Sequence, residues 1–249
     1  MRTFRRSDRF SFLAAFALLW CGAVTDAQAQ AQPLQVSRFA NSAMQDLAER
    51  VLQDASRRAK VPMQFHNVPL QRGLPMVDSG ELDADIMRPA FIDGKFPNIV
   101  RLQVPVISID YAAYGRTAAV RTMSREEMRK LSFGVPKGMV AAQKMVEGLK
   151  SSEGQSFTAL FEMLSAGRFD VAVMPYVEAE VEVRQSKVQS VYVWPQYWGS
   201  TPLYFVLNKK HQALVAPLEQ ALTQMESEGV IKKYYAEMLK AKDIQALKN

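Results

Sequence analysis

The sequence predicts an α/β protein built as two similar lobes, and three observations predict it. A short motif occurs twice: residues 79–88 read SGELDADIMR and residues 166–175 read AGRFDVAVMP. In register, Gly80 meets Gly167, Leu82 meets Phe169, Asp83 meets Asp170, Ile86 meets Val173 and Met87 meets Met174. One recurrence at domain spacing points to paired lobes, since a solenoid needs several shorter periods. Strand-period and helix-period runs also alternate along the chain, the pattern of βα units on a mostly parallel sheet. Behind the N-terminal leader, roughly 220 residues remain, enough to bury a core without disulfide staples.

The leader is a separate object. Arg2, Arg5, Arg6 and Arg9 precede an apolar run from Ser11 to Val24, and Ala27-Gln28-Ala29 follows as a small-x-small site. This is the pattern of a secretory signal peptide over residues 1–29, removed by Sec-type export to the periplasm. The apolar run is short against the about 20 residues that span a bilayer. Lipidation at Cys21 is disfavoured by the bulky Trp20 before it. A twin-arginine signal is disfavoured by Ser7-Asp8-Arg9 after Arg5-Arg6. Cys21 is the only cysteine, so the mature chain has no thiol. The whole chain carries +6. The leader holds four Arg against Asp8 and Asp26, which leaves +4, scattered instead of clustered. Nucleic acid is not an expected partner.

In chain order, Leu34–Phe39 reads as a strand. Ser42 and Gln45 fit a Ser-x-x-Gln capping box. Met44, Leu47, Ala48, Val51, Leu52 and Ala55 then follow at the spacing of one buried helical face. Val61–Phe65 is a second strand and Leu70–Val77 a short helix, which Gly80 closes as a C-cap. Ala84–Met87, Ile99–Val106 and Ile109–Tyr114 are the next strands. Gly115-Arg116-Thr117 breaks the alternation and marks the first crossing between lobes.

The second lobe opens with a Ser124-capped helix to Lys130 and the strand Leu131–Val135. The turn Pro136-Lys137-Gly138 leads into a helix Met139–Leu149. Ser151–Gln155 is polar and reads as a loop. Ser156 caps the helix Phe157–Ala166, with Phe157, Leu160, Phe161 and Leu164 on one face. The Gly167 turn, the strand Val171–Met174, the helix Val177–Gln185 and the strand Val188–Val193 come next. Trp194 and Trp198 flank Pro195 in a long loop. Thr201–Leu207 returns to the first lobe, where helices Gln212–Glu228 and Val230–Leu239 pack. The division is therefore residues 30–114 with 205–249, against 115–204.

Four stretches occur in a telling order: Gly80-Glu81-Leu82-Asp83, Phe133-Gly134-Val135-Pro136-Lys137-Gly138, Ala166-Gly167-Arg168-Phe169-Asp170, and Pro202-Leu203-Tyr204-Phe205-Val206 followed by Leu222–Gly229. Behind a leader, they resemble the family 3 extracellular solute-binding proteins, the periplasmic receptors often linked to amino-acid ABC importers. The resemblance spans about Leu34 to Leu239. It implies the type II periplasmic-binding-protein fold: two α/β lobes, two hinge strands, and ligand in the cleft between.

Amino-acid binders of that family hold the α-carboxylate with a first-lobe Arg and with a hydroxyl after the Lys-Gly turn. An Asp at the end of the second Gly/Asp strand holds the ammonium. Here Met139 stands at the hydroxyl and Pro175 at the Asp, while Arg88-Pro89-Ala90-Phe91-Ile92-Asp93 occupies the region of the usual Arg. The resemblance is thus to a divergent branch, and the residue set of an ordinary α-amino-acid receptor is incomplete.

Ligands in open α/β sheets sit at strand carboxyl ends beside helix N-termini. Those ends supply Phe39, Arg88, Gly138, Met139, Val140, Pro175 and Tyr176, with Tyr111 and Tyr114 near the crossing. Arg88 is the candidate to pair a ligand carboxylate, the alternative being a salt bridge to Glu81, Asp83 or Asp85. Gly138–Val140 offers free N–H groups at a helix start. The aromatic residues form cleft walls or ordinary core. Asp83 and Asp170 read as turn scaffold, and Glu178 and Glu180 as a solvated helical face. His66 and His211 lack metal-ligand spacing. Nucleophile-elbow, P-loop and dinucleotide motifs are absent. The expectation is a monomeric, non-enzymatic periplasmic receptor without metal or cofactor. It would bind a small solute, an anion included, and deliver it to an ABC transporter permease. The alternatives are a sensor or redox partner in place of an importer, or a periplasmic enzyme on the same fold.

Overall fold

The computed structural model describes residues 32–40, 42–186 and 190–247. The expected leader and its cleavage site lie outside them. The chain opens with β1 (Leu34–Arg38), α1 (Ala43–Ala59), β2 (Met63–Asn67), α2 (Leu70–Ser79) and β3 (Ala84–Pro89). β1 lies in the middle of this group, parallel to β2 on one edge and to β3 on the other. Next come β4 (Ile99–Arg101) and β5 (Ile107–Gly115). The design then repeats: α3 (Arg125–Met128), β6 (Phe133–Pro136), α4 (Val140–Met145), β7 (Ser151–Gly154), α5 (Phe157–Ser165), β8 (Val171–Pro175) and α6 (Tyr176–Gln185). Here β6 is the middle strand, parallel to β7 and β8. β9 (Tyr192–Asn208), α7 (Val215–Ser227) and α8 (Val230–Ala241) complete the chain.

The sheet runs in the order β2-β1-β3-β9-β5-β8-β6-β7, with β4 also on β9. The hinge pair β9 and β5 stands at its centre, antiparallel from Ile107 opposite Leu203 to Gly115 opposite Tyr192. Outward from that pair the two halves have the same order, β3-β1-β2 on one side and β8-β6-β7 on the other. This is the two-lobed arrangement that the repeated motif predicts.

The repeated aspartates do equivalent work. Asp83 N–H donates to Gln35 O at 2.9 Å, and Asp83 Oδ2 accepts from Gln35 N–H at 2.8 Å. Asp170 N–H donates to Ser132 O at 2.9 Å, and Asp170 Oδ2 accepts from Ser132 N–H at 3.0 Å. Each carboxylate ties the entry of its strand to the neighbouring strand. Burial pushes the Asp83 carboxyl up, but bonds from Gln35, Lys210 and His211 outweigh it and hold the group below its ordinary value. The Ser132 hydroxyl, then its N–H, hold Asp170 below as well. Gly80 (φ +81°) and Gly167 (φ +69°) turn the chain in the left-handed conformation that glycine adopts without steric cost.

α1 buries the six expected apolar residues, together with Ala43 and Gln45. α7 and α8 cover this face, with Leu218, Leu222 and Met225 buried. Each such Leu or Val contributes about 1.5–3 kcal/mol when fully withdrawn from water. The cap of α1 is half of the expected box: Ser42 Oγ accepts from Gln45 N–H at 3.3 Å, but the Gln45 side chain takes the N–H of Phe39 instead.

Several boundaries differ from expectation, and the start of the expected strand Val188–Val193 lies outside the described residues. Ser151–Gly154 is a strand, not a loop; it is an edge strand whose first three residues are exposed, so no apolar alternation marks it. The Trp194–Trp198 loop is part of one 17-residue strand, β9. Both indoles are buried there, 5.8 Å apart, and Trp198 packs 5.3 Å from Phe133. The helix after Gly138 is only six residues long. β4 ends at Arg101.

Candidate functional site

The carboxyl ends of the parallel strands of both halves meet across the hinge. β1 leads into α1 and β8 into α6, and the starts of these helices touch: Ser42 Oγ donates to Glu178 Oε1 at 3.0 Å. β3 leads to Phe91 and β6 to α4, and Lys144 Nζ of α4 lies 5.4 Å from the Phe91 ring centre. Tyr111 of β5, opposite Pro175 of β8 and Gly199 of β9, is buried at the hinge beside these ends.

The expected site residues fall into three groups. Phe39, Tyr111, Gly138, Met139, Val140 and Pro175 stand at the strand ends or helix starts described above. Phe39 is half-buried directly after β1, and Tyr111 is buried. Gly138 is exposed with φ +75°, and Met139 is the N-cap of the short α4, without a side-chain capping bond. Pro175 ends β8 and caps α6.

Arg88 is in a different situation. Its Nε donates to Asp85 Oδ1 at 2.8 Å and its Nη2 to Asp85 Oδ2 at 2.6 Å. Nη2 also reaches Leu70 O at 3.1 Å. Asp85 has a side chain only 3% exposed and accepts a further bond from Ser37 Oγ. The guanidinium that was the candidate for a ligand carboxylate is thus held bidentately by the chain's own carboxylate. Gly73 of α2 makes room for this cluster, because a Cβ there would lie 2.4 Å from Asp85 Oδ2 and 2.7 Å from Arg88 Nη2.

Tyr114 and Tyr176 form the third group, on the opposite face of β5 from Tyr111. The strand alternates, so Tyr111 and Ala113 join one buried cluster while Ala112 and Tyr114 join the other. Tyr114 packs edge-on against Phe161 and donates to Glu180 Oε1 at 3.0 Å. Tyr176 packs against Tyr197 and donates to Gln245 O. Both are core residues of the hinge and belong to a different buried cluster from Tyr111. A cavity of about 710 Å³ lies behind them, between α6, β9 and the tail from Asp243 to Leu247.

The expectation that Glu178 and Glu180 form a solvated face is overturned. The residues lie two apart, on different sides of α6, yet both are drawn in. Burial pushes both carboxyls above the ordinary glutamate value. The Glu178 Oε2 atom is shielded from solvent and has no hydrogen-bond partner among the described residues. The N–H groups of Glu178 itself and of Met44 favour its charged form, as does the Ser42 hydroxyl, without cancelling the effect of burial. Burial, and then the Glu178 charge, push the Tyr111 phenol up. α6 is wedged between α1 and the hinge. A period-based reading of its mixed sequence could not reveal that Glu178 and Glu180 are partly enclosed.

No family model matches the chain. Over 203 residues it is 23% identical to an uncharacterized protein of Shewanella oneidensis, covering 75% of this chain and 74% of that one. Its backbone is similar to the ligand-binding core of GluR0 in complex with L-glutamate (TM-score 0.67, 16% identity, 84% of this chain and 99% of that one). It is also similar to the probable amino-acid ABC transporter extracellular-binding protein ytmK of Bacillus subtilis (TM-score 0.68, 12% identity, 84% and 97%). A histidine kinase sensor domain with similarity to periplasmic binding proteins matches at TM-score 0.62 and 13% identity, over 85% and 97%. The chain has the type II periplasmic-binding-protein fold. The two halves of the sheet are its lobes, and β5 and β9 are its hinge strands. Among the described residues, no helix is long and apolar enough to cross a membrane, and no group of three His, Cys, Asp or Glu is placed to hold a metal ion.

Proposed function

We propose that this protein is a non-enzymatic periplasmic receptor, a divergent relative of the family 3 solute-binding proteins, that captures a small solute between its lobes. The observation that carries the reading is the Ser42–Glu178 bond, which joins the first turns of α1 and α6 across the cleft. A solute entering at that point contacts both lobes. It favours the closed state by the difference between its affinities for closed and open forms. In this reading residues 30–114 and 205–249 form one lobe and 115–204 the other. Phe39, Tyr111, Gly138, Met139, Val140 and Pro175 border the solute. Arg88 frames the first-lobe wall from within its ion pair, and Tyr114 and Tyr176 stiffen the hinge. The protein acts as a monomer and passes its solute to an ABC transporter permease; the similar fold of ytmK, a probable amino-acid ABC transporter extracellular-binding protein, supports the importer reading.

The similarity to a kinase sensor domain supports a second reading, in which closure is sensed instead of feeding an importer. Uptake of the solute by cells with and without the gene separates the two, since only the importer reading requires uptake to fall. The receptor reading itself is tested with a metabolite library on the secreted protein. A solute should raise the melting temperature and shrink the radius of gyration in small-angle scattering. A library that moves neither quantity refutes it. Mass spectrometry of the same material should find an N-terminus near Gln30, and an intact Met1 refutes export by a cleaved leader.

A further inference from the structure

We propose that Glu178 determines specificity, tuning the cleft to solutes that carry a protonated amine or guanidinium and disfavouring those that present a carboxylate or phosphate at the same point. The inference rests on the receptor reading above and adds the chemical class of the solute. α6 places Glu178 in its first turn, and the side chain crosses to the first turn of α1, where Oε1 accepts from Ser42 Oγ at 3.0 Å. Helix starts are natural anion sites, because their N–H groups are unpaired and the helix dipole is positive there. In this cleft the chain's own carboxylate already faces the N–H groups of Met44 and of Glu178 itself. An incoming anion would meet that negative charge in place of open donors. Arg88, the guanidinium best placed by sequence to offset it, is bound by Asp85.

What remains open is an acceptor. Glu178 Oε2 is shielded from solvent and unpartnered among the described residues. Buried polar atoms in native proteins are rarely left in that condition, and each exception calls for an explanation. Lys242, at the C-cap of α8, acts on the carboxylate only as a weak attraction from charge. Tyr111 stands beside the carboxylate but makes no hydrogen bond to it. A donor carrying positive charge would complete the coordination of Oε2 and compensate the buried charge in one contact. Such charge-assisted bonds are roughly twice as strong as neutral ones. A parting of the lobes would break the Ser42 contact and uncover this oxygen, and a solute bound there would take the place of part of that contact.

The test uses the mature protein and its Glu178→Gln variant, which keeps the side-chain size and an oxygen to accept from Ser42. Circular dichroism melting confirms that the variant is folded. Putrescine and agmatine are the cationic probes, succinate and inorganic phosphate the anionic ones, each titrated by calorimetry. The expected result is saturable binding of putrescine or agmatine to the wild type, at least tenfold weaker in Glu178→Gln, with no heat from succinate or phosphate. The inference is overturned, while the receptor reading stands, in either of two cases. One is that succinate or phosphate binds the wild type. The other is that any solute binds wild type and Glu178→Gln equally. If no probe and no library solute binds the wild type, the receptor reading fails and the inference falls with it.

Discussion

Replacing Gly73 with Ala pits two effects of opposite sign against each other. Gly73 lies inside α2, and its φ is not in the left-handed region. On helix propensity alone, alanine should stabilise the chain by about 0.8–1 kcal/mol. The surroundings say otherwise. A Cβ at that position would stand 2.4 Å from Asp85 Oδ2, 2.7 Å from Arg88 Nη2 and 2.8 Å from Ser37 Oγ. These atoms belong to side chains, but not to free ones. Asp85 is 3% exposed, with both oxygens engaged, and Arg88 is 12% exposed and bonded on three sides. Inserting a methyl group into such a cluster costs about 1–3 kcal/mol. Pushing Arg88 away altogether would leave Asp85 buried without its cation, a loss of about 3–5 kcal/mol. The clash therefore wins, and the expected net change is a destabilisation of up to about 2 kcal/mol. Urea unfolding followed by circular dichroism should show a lower midpoint at unchanged slope. A variant as stable as the wild type, or more so, would refute the reasoning, because it would mean that the Asp85–Arg88–Ser37 cluster has slack.

Three further outcomes follow from the same geometry. Arg88→Ala should lower stability by about 3–5 kcal/mol by stranding the Asp85 charge; a change below about 1 kcal/mol in urea unfolding would place Arg88 outside the structural core. Asp83→Asn and Asp170→Asn should each cost about 1–2 kcal/mol at pH 7. Both carboxyls are held below their ordinary value of 3.8, so their contribution is full above that value and is lost as pH falls through the depressed one. Each variant should show a shallower acid limb when unfolding free energy is measured against pH, and an unchanged limb refutes the scaffold role. Glu178 has the opposite sign. Its value is raised above 4.5, so its effect on stability is most favourable at acid pH and declines as pH rises from about 4.5 toward the raised value. Glu178→Gln should flatten that decline in the same measurement, and an identical slope in both proteins would show that the carboxyl is not enclosed.

Much of the fold was legible because local and global signals agree in it. α1 shows its buried face plainly, since six apolar residues recur at helical spacing and Ser42 caps the start. The repeated Gly/Asp turn was readable as scaffold because its aspartates are paired across the two halves. β7 was not legible, because an exposed edge strand of Ser-Ser-Glu has neither alternation nor branched residues, and only its neighbour β6 makes it a strand. β9 was read in pieces, because Pro195 and Pro202 interrupt a run whose continuity comes from pairing with β5 on one side and β3 on the other.

The strand-end rule points to Phe39, Met139 and Pro175, which do stand at strand ends and helix starts, yet it could not tell that Arg88 is claimed by Asp85. That pairing depends on Gly73, fifteen positions earlier, leaving a space. Nor could it find Glu178, whose neighbours Ser42 and Tyr111 come from distant parts of the chain. A carboxylate in a helix reads as solvated until tertiary packing encloses it.

The placement of α7 and α8 against α1 has a consequence for how the chain is made. While the chain is being synthesised, α1 emerges well before the two helices that cover Leu47, Val51 and Leu52. β3 likewise waits for β9, its antiparallel neighbour. The half containing β6, β7 and β8 needs no such late partner, except along the hinge. Long-range closure of this kind is slow and leaves apolar surface exposed meanwhile. The face of α1 is therefore the apolar surface left uncovered longest, and trimming α8 should be felt first at the opposite end of the sequence, as aggregation through that face.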